Sequence, residues 1–367
     1  MAAVAMLSMA RGMTVGGKRL RVAVTGATGN VGLSLVRALL DEPSVDGVVG
    51  IARRLPDVDW PGVTWRQADV GTSDLGPLFK DADAVVHLAW AIQPSHDEAT
   101  LTQTNVLGSQ RVFHAAGRAD VPILIHASSV GAYSPGPSEG LVDETWPVGG
   151  VPSSFYSRHK AIAESMLDEV EREYPRLRIV RMRPSLIFRR GQGSEVRRLF
   201  LGPLVPNVAF KPGWLRILPD IEGLQLQVVH TDDVARAYVS AVMNEVEGPF
   251  NLAGEPILNA RLVADALGIR AIKLPAAPVR QAVSLAWKAR LQPTPPGWLD
   301  MGLRAPLMST QRARSLLGWS PERPAMAVVR ELLDGMSTGS GDSTPPLAPD
   351  STVGRVRELL SGGGRIS

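Results

Sequence analysis

The sequence predicts an α/β protein with a doubly wound parallel sheet and a smaller C-terminal lobe. Short apolar, β-branched runs alternate with segments of helical period through the first half of the chain, beginning with LRVAVTGATGNVGLSLVRALL. Strands that alternate with helices build a parallel sheet covered on both faces. From about residue 189 the pattern gives way to LGPLVPNVAFKPGWLRILPD, which is rich in Pro, Trp and Leu and has little regular period. Long irregular segments are usually lids or binding loops, so a second lobe is expected there.

The first predicted unit is a strand at Leu20–Val24, a turn containing Gly26 and Gly29, and a helix with apolar residues at helical spacing. Further strands are predicted at 45–53, 62–70, 83–90, 121–129 and 177–188, with long helices at about 97–119 and 154–174. The later segments are a strand end and an amphipathic helix at 228–243, and two short helices around a turn at 309–336.

This pattern divides the chain into a dinucleotide-binding core, a lobe and two terminal segments. The predicted parts are the core at 19–188, to which 228–254 return, and the substrate-binding lobe at 189–227 and 255–336. Residues 1–18, rich in Ala and Met, are expected to be a disordered extension. Residues 337–367 begin with the linker-like STGSGDSTPPLAPD and are expected to be a flexible tail.

Composition excludes several classes of protein. The net charge is only +3 over 367 residues and the basic residues are not gathered into runs, so no nucleic-acid partner is expected. The absence of cysteine excludes disulfides, thiolate metal sites and cysteine nucleophiles. No stretch approaches the roughly 18 consecutive apolar residues that a membrane span needs. We therefore expect no membrane partner and a cytoplasmic location.

TGATGNVG places three glycines between the first strand and the first helix. Gly26, Gly29 and Gly32 let the backbone turn sharply and let its amides approach a diphosphate with no Cβ in the way. The helix N-terminus then supplies free N–H groups and a partial positive charge. A tight turn without a ligand uses the same residues, but the position after the first strand favours a dinucleotide site.

The end of the second strand, GIARR, bears on which dinucleotide is bound. Sites that prefer NAD usually carry an acid there, which binds the ribose 2′-hydroxyl. Ala52 holds that position here, and Arg53 and Arg54 follow it. Their forked donors suit a 2′-phosphate, which predicts NADP, with NAD as the alternative. Two solvated arginines at a strand end would give the same pattern.

FYSRHKAIAE places Tyr156 and Lys160 four residues apart, on one face of a predicted helix. A hydride that leaves or reaches a carbinol carbon must be matched by a proton on its oxygen, so a titratable group must lie within hydrogen-bond reach. The pKa of free Tyr is about three units too high for a base at neutral pH. A nearby ammonium favours the phenolate, so the pair is a candidate proton-handling site.

Several ordered motifs resemble the extended branch of the short-chain dehydrogenase/reductase superfamily, often called the NAD-dependent epimerase/dehydratases. They are TGATGNVG, ADV, HLAW, TNVLGSQ, ASSVGAY, YSRHK, RPSLIF and VHTDDVA, and the similarity covers roughly residues 21–336. The resemblance implies a Rossmann fold and NAD(P)-dependent chemistry on a small-molecule substrate. It also implies a homodimer through the helices at about 97–119 and 154–174.

The resemblance assigns roles to individual residues. Ser129 would orient the substrate, with Ser128 as the near alternative; Tyr156 would exchange the proton, and Lys160 would lower its pKa and hold the nicotinamide ribose. Together with the two arginines of GIARR, the predicted cofactor contacts are Gly26, Thr28, Gly29, Asn30, Val31, Gly32, Arg53, Arg54, Asp69, Val70, Leu88, Ala89, Trp90, Asn105, Ser128, Tyr156, Lys160, Pro184 and Ile187.

Departures from the family pattern bear on the substrate. Sugar-nucleotide members carry Arg-Pro-x-Asn-x-Tyr-Gly, whereas RPSLIFRRG has Leu186 at the Asn position and Phe188 at the Tyr position. The lost polar anchor and the apolar lobe segment favour a hydrophobic ketone or alcohol. The arginines that could still bind a phosphate are Arg189, Arg190, Arg197 and Arg198.

The residues after the serine segment narrow the reaction class. Residues 130–133, VGAY, lack the acid that the dehydratases use there. Simple oxidation or reduction at a secondary alcohol is therefore the first choice, and sugar-nucleotide epimerisation with the same residues is the second. The alternative of another class is a non-catalytic dinucleotide-binding regulator. Such relatives usually lack the Tyr and Lys that this chain retains.

The histidines are expected to be structural. His87 and His126 lie in apolar strands, where a histidine is more often part of the core than a catalyst. In HTDDVA, the residues His230, Asp232 and Asp233 are expected to cap a helix and tie the core to the lobe. No metal site is therefore predicted.

Overall fold

Seven parallel strands form the central sheet of the computed structural model, which describes residues 19–57, 59–93, 96–202, 205–211 and 213–350. The predicted extension 1–18 and the part of the predicted tail beyond residue 350 lie outside the described residues. The strands are β1 Leu20–Thr25, β2 Val45–Ala52, β3 Val63–Gln67, β4 Ala84–His87, β5 Ile123–Ala127, β6 Arg178–Pro184, β7 Leu186–Phe188, β8 Ile217–Ile221, β9 Val228–His230, β10 Gly248–Leu252 and β11 Arg270–Leu274.

Helices follow most of the strands, and several begin or end at a capping residue. The α-helices are α1 Asn30–Leu40, α2 Gly76–Phe79, α3 Glu98–Thr102, α4 Gly108–Arg118, α5 Phe155–Glu173, α6 Gly193–Val196, α7 Thr231–Met243, α8 Ala260–Leu267, α9 Ala276–Lys288, α10 Pro296–Arg304, α11 Gln311–Leu316 and α12 Ala325–Thr338. Ser154 caps α5 through a hydrogen bond to the Ser157 amide, and Gly268 ends α8 in the left-handed conformation.

The strand order in the main sheet is β10-β6-β5-β4-β1-β2-β3, and every neighbouring pair is parallel. The chain winds outward from β1 in one direction to β3, then crosses to β4 and winds the other way. Ligands of such sheets bind outside the carboxyl ends of the strands at this crossover. The predicted doubly wound Rossmann fold is confirmed. A ligand site is therefore expected at the carboxyl ends of β1 and β4.

Two apolar clusters cover the two faces of the sheet. On one face α1 and α7 pack through fully buried residues such as Leu35 and Tyr238. On the other face α4 and α5 pack through Phe113 and Leu167, which are also fully buried. Burial of apolar surface on both faces is what the near-continuous apolar strands require.

The segment 177–188 differs from the single strand that its sequence predicts. It forms β6 in the main sheet and then β7, which pairs with β9 outside that sheet. The change falls at Pro184, which has no N–H to continue a ladder, and the Ser185 amide donates to the Leu252 carbonyl. The shift takes residues 186–188 out of the main sheet and pairs them with β9.

The predicted flexible tail is wrong for residues 337–350. Thr338 ends α12, and the segment beyond it packs against the body with Thr344 and Leu347 buried. An ion pair of Arg197 with Asp350, at 2.8 Å, fixes its far end. Gly-, Ser- and Pro-rich composition predicted a linker, but a few specific polar contacts and one buried leucine hold the segment in place.

The lobe holds the remaining elements, with β8 and β11 paired and α10 packed toward the start of α5. A Cβ at Gly297 in α10 would lie 2.3 Å from the Ser153 carbonyl oxygen, so only glycine allows this approach. Within the described ranges, no helix is both long and apolar enough to cross a bilayer.

Candidate active site

The glycine turn after β1 is built from backbone alone. Gly26 has φ +72°, and a Cβ there would lie 2.7 Å from the Ala89 amide nitrogen at the end of β4. A Cβ at Gly32 would lie 2.3 Å from the Gly26 carbonyl oxygen. Gly29 precedes α1 without a side-chain cap, so the first amides of the helix have no side chain over them. A glycine turn followed by uncapped helix amides fits the diphosphate of a dinucleotide.

The other residues predicted to bind the cofactor from this turn are Thr28, Asn30 and Val31, and they differ in their surroundings. Thr28 is buried. The Asn30 side chain accepts from Arg189 Nε at 2.7 Å and donates to Gln192 Oε1 at 2.9 Å. It is therefore committed to the protein, and only the backbone of Asn30 is left for a ligand. Val31 packs against the core.

Three arginines gather beyond the end of β2. Ala52 is buried at the strand end, and Arg53 and Arg54 follow it exposed. Partial burial lowers the pKa of Arg54, and repulsion from Arg53 and from Arg198 of the lobe lowers it further. Such a cluster of like charges is a favourable place for an anion, because the opposite charge relieves the repulsion.

The ends of β3 and β4 carry further predicted residues. Asp69 accepts from the Gly71 amide at 2.8 Å, which tightens the turn after β3, and Val70 is buried. Leu88 and Ala89 follow β4 and face the Gly26 turn. Trp90 comes next, and the ammonium of Lys160 lies 3.3 Å from its ring centre, a cation–π contact.

Asn105 acts on the same loop from the central helix. It lies fully buried in a π-helical turn, Gln103–Leu107, between α3 and α4. Its side chain accepts from the Ala91 amide at 2.7 Å and donates to the Ala91 carbonyl at 3.0 Å. Asn105 thus fixes the backbone just beyond Trp90, and π-turns of this kind are frequent at functional sites.

The two candidate serines after β5 point to different partners. Ser128 donates to Glu164 Oε1 at 2.5 Å. Ser129 accepts from the Gly131 amide at 3.0 Å, and its hydroxyl is close enough to Tyr156 to act on the pKa of that phenol, which it lowers. The geometry brings Ser129, and not Ser128, together with Tyr156.

Burial dominates the electrostatics of the Tyr156–Lys160 pair. Burial raises the pKa of Tyr156 to about 12, and the Ser129 hydroxyl opposes this. Burial also holds the pKa of Lys160 well below its usual value, against the attraction of Glu164. Lys160 donates to the Ala127 carbonyl at 2.6 Å. In the protein alone the lysine does not lower the tyrosine pKa, contrary to the expectation from their spacing.

Glu164 is a buried residue that sequence reasoning missed. It accepts from Arg183 through both carboxylate oxygens, at 2.8 and 2.9 Å, in addition to Ser128. Burial works to raise its pKa, but the hydrogen bonds and charge of Arg183, the Ser128 hydrogen bond and the charge of Arg181 together lower it. Its spacing, one helical turn beyond Lys160, was the available signal.

An aromatic wall surrounds Tyr156. The Trp298 ring centre of α10 lies 4.9 Å from that of Tyr156, and Phe200 lies 5.0 Å from Trp298. Trp90 meets Tyr156 edge-on at 6.1 Å. Trp298 and Phe200 come from the lobe, far along the chain from Tyr156, and no local sequence pattern marks them.

The segment after β6 presents little polarity. Pro184 is buried at the end of β6, and Ile187 packs against the main core. Leu186 packs against the cluster around Val228 and Leu258. The position where sugar-nucleotide members are expected to carry an asparagine is therefore part of an apolar contact between core and lobe.

Most of the arginines considered for a phosphate have carboxylate partners. Arg189 pairs with Asp342 at 2.9 Å, Arg190 with Asp334 at 2.6 Å, and Arg197 with Asp350. These three charges are thus neutralised within the protein. Arg198 instead donates to the Pro346 carbonyl at 2.8 Å and lies near Arg54.

His87 lies between two hydroxyls in the core. Its ring nitrogens contact Thr25 Oγ1 at 2.7 Å and Ser109 Oγ at 3.0 Å, and burial lowers its pKa to about 3. His126 stacks on it with ring centres 5.5 Å apart, and burial lowers its pKa as well. Both are neutral core residues.

His230 is the N-cap of α7, and its ring accepts from the Asp232 amide at 3.1 Å. Arg323 of the lobe contacts its other ring nitrogen at 2.7 Å, and the Arg323 amide donates to Asp233. The HTDDVA motif thus caps a helix and ties the core to the lobe. The described part of the chain contains no cluster of three or more His, Asp or Glu side chains arranged to hold a metal.

The fold and the site together define a dinucleotide-binding protein of the extended short-chain dehydrogenase/reductase type. The family model described as NAD dependent epimerase/dehydratase matches residues 22–253. The chain belongs to the NAD-dependent epimerase/dehydratase family.

Curated relatives are distant. An uncharacterized protein of Mycobacterium tuberculosis is 28% identical over 306 residues, which are 82% of this chain and 28% of that protein. The chain therefore spans well under half the length of this relative. Sterol-4-alpha-carboxylate 3-dehydrogenase, decarboxylating, of Saccharomyces cerevisiae is 29% identical over 48% of this chain and 53% of its own. Sterol demethylase protein B of Methylococcus capsulatus is 33% identical over 38% of this chain and 44% of its own.

Solved structures share the fold. UDP-glucuronic acid 4-epimerase from Bacillus cereus, solved in complex with NAD, has a TM-score of 0.64 and 18% identity, and the match covers 86% of this chain and 98% of that one. UDP-glucose 4-epimerase from Thermus thermophilus, also solved with NAD, has a TM-score of 0.62 and 21% identity over 86% of this chain and 99% of that one.

Proposed function

We propose that the protein is an NADP-linked oxidoreductase that acts on a secondary alcohol or ketone of a small, largely apolar substrate. The observation that carries this proposal is the grouping of Ser129, Tyr156 and Lys160: the Ser129 hydroxyl acts to lower the pKa of Tyr156, and Lys160 lies one helical turn beyond Tyr156. A bound nicotinamide dinucleotide supplies or accepts the hydride. The residues around it must then handle one proton.

The pKa of Tyr156 favours the reducing direction. With a pKa raised to about 12 by burial, the phenol is protonated at neutral pH and can donate its proton to a carbonyl oxygen as hydride reaches the carbon. Ser129 holds the same oxygen by a second hydrogen bond and so orients it. Lys160, which does not lower the tyrosine pKa in the protein alone, keeps the other role that the family resemblance implies, which is to hold the nicotinamide ribose.

The surroundings of Tyr156 support an apolar substrate. The aromatic wall of Trp90, Trp298 and Phe200 offers ring faces and edges, and binding sites lined by aromatic side chains favour apolar groups. Leu186 adds no polar anchor, and three of the four arginines considered for a phosphate already have carboxylate partners. The yeast and Methylococcus relatives are named for reactions on sterols. A sterol is an alcohol with a hydrophobic skeleton, which is the class of substrate proposed here.

The arginine cluster supports NADP over NAD. A 2′-phosphate between Arg53, Arg54 and Arg198 would relieve the repulsion that lowers the Arg54 pKa. Ala52 leaves no carboxylate to bind a 2′-hydroxyl at the end of β2. The solved relatives named above were crystallised with NAD, so NAD remains the alternative to test.

A homodimer through the central helices is part of the proposal. Leu107 beside α4 is 42% exposed and Ile162 on α5 is 44% exposed. Both belong to the two segments that the family resemblance places at a dimer interface. Equilibrium sedimentation of the protein checks this, and a monomer at micromolar concentration would contradict it.

Two alternatives fit the same fold. The sugar-nucleotide epimerase alternative is favoured by the UDP-sugar epimerases among the solved relatives. A non-catalytic dinucleotide-binding regulator needs neither Tyr156 nor Lys160. One assay separates all three: NADPH oxidation with a panel of cyclic and long-chain ketones, beside UDP-glucose and UDP-glucuronic acid with NAD.

The proposal expects NADPH oxidation with at least one apolar ketone and no sugar interconversion. Interconversion of a UDP-sugar without net cofactor turnover would replace it by the epimerase. Binding of NADPH with no turnover of any ketone or sugar would favour the regulator.

A further inference from the structure

Residues 339–350, which we name the C-terminal strap, cross the outside of the glycine turn. Thr344 is buried there, and its Oγ1 donates to the Thr28 carbonyl at 2.8 Å. The hydrogen bond joins residues 316 positions apart in the chain. A segment whose composition predicts a linker thus makes a specific contact with the proposed diphosphate site.

Asp342 makes a second contact with the same turn through Arg189. The Arg189 guanidinium is nine-tenths buried and pairs with Asp342 through Nη1 at 2.9 Å. Its Nε donates to the Asn30 side chain at 2.7 Å. Asp342 also faces Arg37 of α1 at 3.7 Å. Thr344 of the strap therefore holds Thr28 of the turn, and Asp342 holds Asn30 through Arg189.

These contacts fix the backbone that would face a diphosphate. The Gly29 amide donates to the Gly26 carbonyl at 3.0 Å, while Thr344 binds the Thr28 carbonyl. The Thr28–Gly29 peptide plane is thus held on both sides. The Asn30 side chain is held as well, so the first amides of α1 keep their orientation without a ligand. A preorganised site binds more tightly because less freedom is lost on binding.

The other end of the strap is anchored in the lobe. Asp350 accepts from Arg197 through both oxygens, each at 2.8 Å, and Arg197 is fully buried. The Pro346 carbonyl accepts from Arg198, the arginine that lies near Arg54. The strap therefore connects the glycine turn with the lobe side of the arginine cluster.

We propose that the C-terminal strap is part of the dinucleotide site, and that Asp342 and Thr344 are positioning residues that hold the glycine turn ready for the diphosphate. The inference rests on the proposed function only for the identity of the ligand. It does not depend on the hydride transfer, so it is tested by binding alone.

The test is calorimetric titration of the full-length protein with ADP, which carries the diphosphate without the nicotinamide. Thr344→Val removes the hydroxyl at nearly constant shape, and Asp342→Asn removes the charge. With the turn no longer held in the binding conformation, the double variant should bind ADP at least about tenfold more weakly. The single variant Thr344→Ser, which keeps the hydroxyl, should bind ADP with the wild-type affinity.

Two controls separate positioning from a general loss of structure. Asp334→Asn breaks an exposed pair with Arg190 near the strap and should leave ADP affinity unchanged. Binding of 2′-AMP, which probes the arginine cluster, should stay within about twofold in the double variant because that cluster is a separate site. Equal weakening of ADP and 2′-AMP, or weakening by Asp334→Asn, would overturn the inference.

Hydrogen exchange on the wild-type protein gives a test that needs no variant to fold. ADP should slow amide exchange in residues 339–350, and unchanged exchange there would contradict the inference. A wild-type protein that binds neither ADP nor NADP would overturn both this inference and the proposed function. Wild-type binding with an unchanged double variant would overturn the role of the strap alone.

Discussion

The hydroxyl of Ser128 donates a 2.5 Å hydrogen bond to the carboxylate of Glu164, and both side chains are buried. The next residue, Ser129, has different partners: it accepts from the Gly131 amide and lowers the pKa of Tyr156. Adjacent serines alternate in direction because they leave the end of a strand. One serine therefore supports the charged interior behind the site, and the other faces the proposed reaction.

The two serines should differ when each is replaced by alanine. Ser129→Ala should lower kcat about 100-fold, as when one donor to a reacting oxygen is removed, with NADP affinity unchanged. Ser128→Ala should keep most of the turnover but lower the free energy of unfolding by about 1–3 kcal/mol, because a buried acceptor loses its partner. Steady-state kinetics and urea unfolding measure both, and a larger kcat loss in Ser128→Ala would reverse the assignment.

Glu164→Gln should destabilise the protein strongly. Arg183 would lose the charge that compensates its burial, and breaking a buried pair costs about 3–5 kcal/mol. Glu98→Gln is the matched control, because Glu98 pairs with Arg158 of the same helix as Glu164 at an exposed position; its expected cost is below about 1 kcal/mol. Urea unfolding that gives similar values for both variants would mean that the Glu164 network adds little.

Arg53→Ala/Arg54→Ala should weaken NADP binding about 100-fold, because charge-assisted hydrogen bonds are worth about 1.5–3 kcal/mol each. The affinity for NAD should be unchanged, since NAD lacks the 2′-phosphate. Arg66→Ala, on the exposed face of the neighbouring strand β3, is the control. Fluorescence titration of both dinucleotides checks this, and equal affinities for NADP in wild type and double variant would remove the argument from the arginines.

His87 should make the fold sensitive to acid. Burial, and to a smaller degree Lys160, lowers its pKa from the usual 6.5 to about 3. The unfolded chain therefore binds a proton that the folded protein refuses, and stability is present above about pH 6.5 and lost as the pH falls toward 3. Urea unfolding between pH 7.5 and pH 4.5 should show this decline. His87→Gln should be less stable at pH 7.5 but decline less; an identical slope would exclude His87 as the cause.

Local patterns predicted the core and its turn. The strand–glycine–helix unit and the spacing of Tyr156 and Lys160 depend on neighbouring residues, whose geometry follows from backbone preferences. The pairing of Arg189 with Asp342 joins positions 153 apart, and Trp298 reaches Tyr156 from the lobe. Such contacts depend on how the lobe packs against the core, and the spacing of apolar residues along the chain does not predict that packing. The strap was missed for the same reason, since its Gly- and Pro-rich composition predicts a linker.

The central claim, that Tyr156 donates the proton in an NADPH-dependent reduction, is tested most directly by Tyr156→Phe. Single-turnover kinetics with NADPH and the best ketone of the panel should show hydride transfer slowed at least about 100-fold, the usual scale of a proton-transfer contribution. NADPH affinity should remain within about twofold of wild type, because the ring and its aromatic contacts are kept. Full-rate hydride transfer in Tyr156→Phe would contradict the account.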